Sequence, residues 1–321
     1  MKVGRASRPS SGGLSTASLR RDARSTGGKI YRKTIGPDLT LTKGGGHRRL
    51  LHWGFGGEQF MSDQVLQELI KRAAQDLANS DYAIALTGAG MSTESGIPDF
   101  RGPSGMWTKH PAAEKNAYET YPSFLEDPKG WWEELLTNAA SLLARWENAQ
   151  PNPSHYALME LEQMGILKWT ITQNIDGLHE RAGTKNLLEY HGSALKLRCT
   201  SCNLRFTTDE FGLEKLREED RLPPHCPECG GVIKPDVVYF GEPIPSDVAY
   251  RSVEEAGKCD VMLVCGTSAV VYPFANLPRI AKTRGVDEIS QHLFSPERSP
   301  SVTIIEVNAE PTPLTYEQIS S

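Results

Sequence analysis

The sequence predicts an α/β fold, a doubly wound parallel sheet carrying a small metal-binding module. Three observations lead there. Short unbroken apolar runs alternate with amphipathic stretches, as buried strands alternate with covering helices. Each apolar run is followed by a cluster of small and polar residues, and ligands of open α/β sheets bind beyond the carboxyl ends of the strands. Two CxxC pairs lie between the third and the later runs.

Residues 1–60 differ from the rest. They hold 12 Lys/Arg against 3 Asp/Glu, are rich in Arg, Ser and Gly, and have little to bury. This is the composition of a disordered basic extension. Three readings stay open: a flexible tail, upstream sequence read from a misassigned start with Met61 the true one, or an Arg- and Ser-rich transit peptide. Residues 61–321 form the folded part. Leu66, Leu69, Ile70, Ala73 and Leu77 recur at helical spacing, with Ser62 placed to cap. Ala83–Leu86 is a continuous apolar strand that breaks at Gly88-Ala89-Gly90, where glycines permit a sharp turn and close approach of a phosphate to the backbone. Ser92 to Ser95 crowd polar groups beside the turn, and Asp99-Phe100-Arg101-Gly102 sets an acid, a ring and a guanidinium in a row.

Residues 103–150 read as irregular helix, interrupted at Pro111, Pro122 and Pro128, with Trp107, Trp131, Trp132 and Trp146 among the apolar positions. A lid is conceivable there; core packing is preferred. Asn152-Pro153-Ser154 opens a helix through Leu158, Leu161 and Met164, ended by Gly165. Strands follow at Leu167–Thr172, Leu187–Tyr190, Val261–Val264 and Val302–Val307. They deliver Gln173-Asn174-Ile175-Asp176-Gly177, His191-Gly192, Gly266-Thr267-Ser268 and Asn308-Ala309-Glu310 respectively.

Composition narrows the function classes. The chain is 38% apolar and 23% charged, a soluble globular balance. It has no run of about eighteen apolar residues, so no transmembrane helix and no membrane partner are predicted. Residues 61–321 carry 23 Lys/Arg and 37 Asp/Glu, a balance of −14. That argues against a nucleic-acid surface and suits Lys-rich protein substrates. Cys199-x-x-Cys202 and Cys226-x-x-Cys229, 23 residues apart, suit a closed tetrahedral zinc site of structural character. The module spans about 195–235, and a helix is expected within it at Asp209–Glu219. His225 reads as a surface residue, and Cys259 and Cys265 as small residues flanking a buried strand. Cysteines in this pattern point to a reducing compartment, the cytoplasm.

Taken in order, GAGMSTESGIPDFRG, TQNIDGLHERAG, HG, the two CxxC pairs, KPDVVYFGE, GTS and NAEP resemble the sirtuins, the NAD-dependent protein-lysine deacylases, over residues 63–317. The resemblance implies a Rossmann-like domain with a zinc-ribbon module, NAD as a consumed co-substrate, one structural zinc, and acyl-lysine proteins or peptides as substrates. It implies that Gly88, Ala89 and Gly90 cradle the NAD diphosphate while Asp99, Phe100 and Arg101 close over the cofactor. Gln173, Asn174 and Asp176 would hold the nicotinamide ribose and the carboxamide, and Ser92, Trp107 and Ile175 would also contact the cofactor. Gly266, Thr267, Ser268, Asn308, Ala309 and Glu310 would meet its adenosine half. His191 would be the general base, with Asn174 and Asp176 beside it in the catalytic set. Val237, Val238, Tyr239, Phe240 and Gly241, with Val271, would form the acyl-lysine wall and pair with the peptide backbone. The implied reaction releases nicotinamide and yields free lysine and O-acyl-ADP-ribose.

The residue types suit that chemistry. An imidazole titrates near neutrality, and an anionic Asp176 would stabilise positive charge developing on the ribose. His155 and His179 are expected to cap or orient loops. No Tyr-x-x-Arg occurs between Arg101 and Arg145, the pair by which relatives meet a carboxylated acyl group, so an uncharged acyl group, acetyl first, is expected; Lys109 or Lys115 could substitute. Two departures stand out. The chain stops at Ser321 where the family continues, which predicts an open sheet edge, lower stability and weaker NAD binding. Residues 285–301 look like a surface insertion. The alternatives are ADP-ribose transfer to protein and a weakened NAD-binding protein. A dehydrogenase fits least, for it would want GxGxxG where GAGMST stands.

Overall fold

The computed structural model describes residues 41–42, 63–283, 302–309 and 311–316. The rest of the 1–60 extension, the Ser62 cap, the side chain of Trp146, the 285–301 segment and residues 317–321 lie outside the described residues.

Five strands run parallel: β2 (Ala83–Thr87), β3 (Leu167–Thr172), β4 (Leu187–Glu189), β8 (Val261–Cys265) and β9 (Thr303–Val307). A two-residue strand, β1 (Leu41–Thr42), pairs antiparallel with β9 at Ile304 and Ile305. The sheet order is β1-β9-β8-β2-β3-β4. From β2 the chain winds outward through β3 and β4, then returns to lay β8 and β9 on the other side. Connection direction therefore reverses beside β2, and the crevice of a doubly wound sheet opens at that point, beyond the ends of β2 and β8.

The side-chain alternation of β2 explains the layers. Ala83 and Ala85 join Leu77, Leu158, Leu167 and Leu263 on one face, under α1 (Asp63–Ala78) and α5 (Pro153–Gln163). Ile84 and Leu86 join Val248, Ala256, Met262 and Leu277 on the other, under α8 (Ser246–Lys258) and α9 (Leu277–Thr283). With both faces covered, β2 is buried at all five positions, which is why its sequence is continuously apolar up to Thr87.

Between β4 and α8 the chain makes a second, antiparallel sheet in the order β6-β5-β7, from β5 (Gly192–Cys199), β6 (Arg205–Thr207) and β7 (Ile233–Val237). Its core is Leu197, Cys199, Leu222, Cys226 and Ile233, closed by Trp132. Trp132 is 1% exposed and its indole donates to Ile233 O at 2.9 Å.

The helical stretch after the glycine loop resolves into α2 (Met106–Lys109), α3 (Pro111–Glu126) and α4 (Pro128–Glu147). Pro111 and Pro128 start helices, where a missing N–H costs nothing, but Pro122 sits inside α3 without ending it. The expected Asp209–Glu219 helix is instead a 3-10 turn, Thr208–Glu210, and a short α7 (Leu213–Glu218). Gly212 in the left-handed region, φ 52°, separates them. Two residues of the amphipathic stripes are misplaced: Ile70 and Met164 are 47% and 69% exposed. Among the described residues no helix is long and apolar enough to cross a membrane.

Candidate active site

The crevice is lined from the strand ends. After Thr87 the chain enters a 3-10 segment, Ala89–Ser95, instead of a long helix. The glycines of this loop serve close packing against the β8 end. Gly88 N donates to Cys265 O at 3.1 Å and Gly90 N to Gly266 O at 2.8 Å. A Cβ on Gly88 would stand 2.6 Å from Thr267 Cβ, and one on Gly266, at φ 60°, 2.3 Å from Met91 N. The sequence assigns these glycines to phosphate approach; here the Gly88 and Gly90 amides are already bonded within the fold.

Under the loop lies a buried polar cluster. Ser92 Oγ donates to Asp176 Oδ2 at 2.6 Å, and Leu178 N donates to Asp176 Oδ1 at 2.9 Å. Asn174 Nδ2 donates to Gly88 O at 3.1 Å and to Ser92 Oγ at 3.2 Å. Gln173 reaches across to Thr267, Nε2 to Oγ1 at 2.6 Å. These bonds bring Gly88, Ser92, Gln173, Asn174, Asp176 and Thr267 into one site, supplied by β2, β3 and β8. Ile175 is held alongside, its carbonyl accepting from Ala194 N at 2.9 Å.

His191 follows β4. Its Nδ1 lies 3.3 Å from Gln173 O. A carbonyl only accepts, so this contact places the proton on Nδ1 and leaves Nε2 with its lone pair. Tyr190 and Phe274 flank the ring, with centroids 5.5 and 6.4 Å away. Burial pushes the imidazole down to about 4, partly offset by the Gln173 carbonyl, so it is a neutral base at physiological pH. Gly192 lets β5 leave at once: φ is 75°, and a Cβ there would meet Asp236 O at 1.7 Å.

Asp99, Phe100, Arg101 and Trp107 form a separate group. Asp99 Oδ1 accepts from Gly102 N at 3.0 Å and so closes a local turn. Phe100 packs on Trp107 at 4.8 Å, and the Arg101 guanidinium sits 4.5 Å from the same ring and 3.6 Å from Glu114. Trp107 in turn meets Phe240 at 5.8 Å, and Phe240 meets Tyr118 at 4.5 Å. The loop after the glycines thus reaches the Val237–Gly241 segment through aromatic contacts. Val238 N donates to His191 O at 2.9 Å, which fixes that segment beside His191. Val271 is half-buried and Ser268 exposed. At the far strand Asn308 Nδ2 donates to Glu306 at 2.9 Å, and Ala309 follows in a bend; Glu310 lies outside the described residues.

Sequence reasoning misses several contributors. Asn152 caps α5 by accepting from Ser154 N at 2.9 Å, and its Nδ2 also holds the glycine loop at Met91 O, 2.7 Å, and Ser95 Oγ, 3.1 Å. The capping signal is readable in the sequence, the tertiary bonds are not. His155 Nδ1 accepts from Asn152 N at 3.3 Å, and His179 Nε2 lies 3.0 Å from Thr87 Oγ1, roles that cap and orient loops. Burial pushes the Cys265 thiol up to about 12, so it is no nucleophile at neutral pH.

The four cysteines converge, their sulfurs all within 4.8 Å of one another. Cys199 and Cys229 are 3.5 Å apart and Cys202 and Cys226 3.7 Å. Zinc–sulfur bonds of about 2.3 Å at tetrahedral angles put ligand sulfurs about 3.8 Å apart, so the set fits zinc with every ligand supplied by the chain.

Fold and site together define a Rossmann-like α/β protein with a polar crevice at its topological switch point and a four-cysteine module beside it. The chain belongs to the Sir2 family, whose profile matches residues 88–273. It is 43% identical over 248 residues to an NAD-dependent protein deacylase of Pyrococcus abyssi, covering 77% of this chain and 89% of the relative. It is 45% identical over 217 residues to an NAD-dependent protein deacetylase of Saccharolobus solfataricus, covering 68% and 83%. Among solved structures it is similar to a Sir2 homologue–NAD complex, with a TM-score of 0.55 and 40% identity over 76% of this chain and 84% of that one. It is also similar to a Sir2–p53 peptide–NAD+ complex, with a TM-score of 0.55 and 32% identity over 76% and 88%.

Proposed function

We propose that this chain is an NAD-dependent protein-lysine deacylase that takes acyl-lysine proteins or peptides, NAD and water to free lysine, nicotinamide and O-acyl-ADP-ribose. The observation that carries this is His191: a neutral imidazole whose Nδ1 is committed to Gln173 O, next to the buried Ser92–Asn174–Asp176 cluster. Nε2 then takes a proton from a ribose hydroxyl, and Asp176 faces the charge that develops as nicotinamide leaves. Asn174, fixed by Gly88 O and Ser92 Oγ, orients the ribose. NAD lies along the β2 and β8 ends, its nicotinamide side over Ser92, Gln173, Asn174, Ile175 and Asp176. Its adenosine half meets Gly266, Thr267, Ser268, Asn308, Ala309 and Glu310. Gly88, Ala89 and Gly90 shape the loop facing the diphosphate, and Asp99, Phe100, Arg101 and Trp107 cover the cofactor. Val237–Gly241 and Val271 line the acyl-lysine entrance.

Cys199, Cys202, Cys226 and Cys229 hold one structural zinc, which cross-links the module. The acidic balance of residues 61–321 favours Lys-rich substrates over nucleic acid, and two CxxC pairs that suit a metal instead of a disulfide framework favour the cytoplasm. Acetyl is the expected acyl group, since Lys109 and Lys115, the only substitutes for the absent arginine that the sequence suggests, are both exposed. Mass spectrometry of an acetyl-lysine peptide incubated with NAD tests the reading. Deacetylated peptide and O-acetyl-ADP-ribose in equal amounts are expected; label from NAD left on protein without deacylation would favour ADP-ribose transfer instead.

A further inference from the structure

That reading leaves a set of buried charges without a task. Arg198, 4% exposed, precedes Cys199 in β5. Its guanidinium donates in three directions: to Asp236 Oδ1 at 2.7 Å, to Asn203 Oδ1 at 3.0 Å and to Glu242 Oε1 at 2.6 Å. Asn203 stands in the first cysteine turn, its amide on Cys199 O at 3.1 Å. Asp236 is shared with Arg205 at 2.9 Å. The Glu242 side chain, 5% exposed, also accepts from Lys234 Nζ at 3.0 Å and from Tyr239 N at 3.1 Å. Lys234 is fully buried and donates besides to Pro235 O at 3.0 Å and Val237 O at 2.5 Å.

Buried ion pairs are poor sources of stability, since apolar residues of equal volume do as well or better, whereas directional bonds fix one geometry. Here the geometry fixed is the turn Tyr239–Glu242, closed by Glu242 N on Tyr239 O at 3.0 Å and bent at Gly241, φ 84°. Phe240 rides on this turn to Trp107 and Tyr118, and Val238 ties it to His191 O. One guanidinium therefore spans from the cysteine knuckle to the turn that sets Phe240.

We propose that Arg198 and Lys234, acting through Glu242, are positioning residues for the peptide substrate: they hold the 239–242 turn so that Phe240 stands at the acyl-lysine entrance. This rests on the deacylase reading. Two variants test it. In Arg198→Met, Glu242 keeps Lys234 and Asp236 keeps Arg205, so neither carboxylate is left alone. In Glu242→Gln/Lys234→Met the two opposite charges leave together. With both variants still melting cooperatively, peptide KM should rise about 10- to 100-fold, the range for charge-assisted hydrogen bonds, with NAD KM within about twofold. Arg198→Lys should recover part of the loss. Unchanged peptide KM, or peptide and NAD KM rising together, would overturn the proposal. A wild-type chain without NAD-dependent deacylation would instead remove the functional reading. Hydrogen exchange at the Tyr239 amide then decides the positioning alone: wild-type protection in both variants contradicts it.

Discussion

His191 owes its neutral, lone-pair-bearing form to two features, the Gln173 carbonyl that fixes its tautomer and the burial that keeps it uncharged. Because its folded value is about 4, the free enzyme holds the base form from neutral pH down to that point. The kcat/KM profile should show no acid limb centred near the free imidazole value of about 6.5; a limb there would contradict the burial argument. Gly192 is the other residue on which the geometry hangs. Gly192→Ala forces a Cβ onto Asp236 O at a positive φ, between the base and β7. A loss of about 3 kcal/mol or more in chemical denaturation is expected, and a change within about 0.5 kcal/mol, ordinary for surface sites, would contradict it. Polar identities are legible in the sequence at this scale, because Asn174, Asp176 and His191 have no reason to follow apolar strands unless they work there. What each one touches is not. Asn152 reads only as part of a helix start, and the bonds of the Gly88 and Gly90 amides to Cys265 and Gly266 are not readable at all, because contacts between residues far apart in sequence leave no local pattern.

The strands and the cysteine module are the most legible elements. An apolar run buried on both faces points to a central strand, and a doubled CxxC points to a metal, with little else that would produce either pattern. Helix faces are less so: Ile70 and Met164 fit the period but fall at the margins of their stripes, where spacing cannot distinguish edge from core. Pro122 reads as a break yet lies within α3, because a proline breaks a helix only where its ring clash and missing N–H cannot be absorbed. The cysteine module depends on α4 as much as on its ligands. Trp132→Ala should cost about 3–5 kcal/mol, the range for large core truncations, with the module loosening first in hydrogen exchange. Elemental analysis should find one zinc per chain, lost in Cys226→Ser with a fall in melting temperature; unaltered melting after metal loss would deny the zinc its structural role.

At the scale of the whole molecule, the buried His155 and His179 and the partly buried His191 tie stability to pH. Burial lowers all three imidazoles: His155 below its ordinary value, with Asp176 partly opposing, His179 to about 3, and His191 to about 4. The unfolded chain gains protons at each as pH falls through about 6.5 while the folded chain does not, so stability is full above that pH and is lost as pH falls toward the folded values. Melting temperature should therefore drop steadily between about pH 6.5 and 4, and a flat curve would contradict the burial of these rings. At the sheet edge β1 pairs with β9 at Ile304 and Ile305; two residues inside a basic, Gly-rich stretch give no strand signal of their own. The strand ends converge on one crevice, where β2, β3 and β8 end and the His191 carbonyl holds Val238 of the 237–242 segment. The most direct test is acetyl-lysine peptide turnover with NAD by mass spectrometry, wild type against His191→Ala. Wild type should yield deacetylated peptide and O-acetyl-ADP-ribose only when NAD is present, and His191→Ala should lose about 10²- to 10⁴-fold of that rate. Turnover without NAD, or turnover undiminished by the substitution, would contradict it.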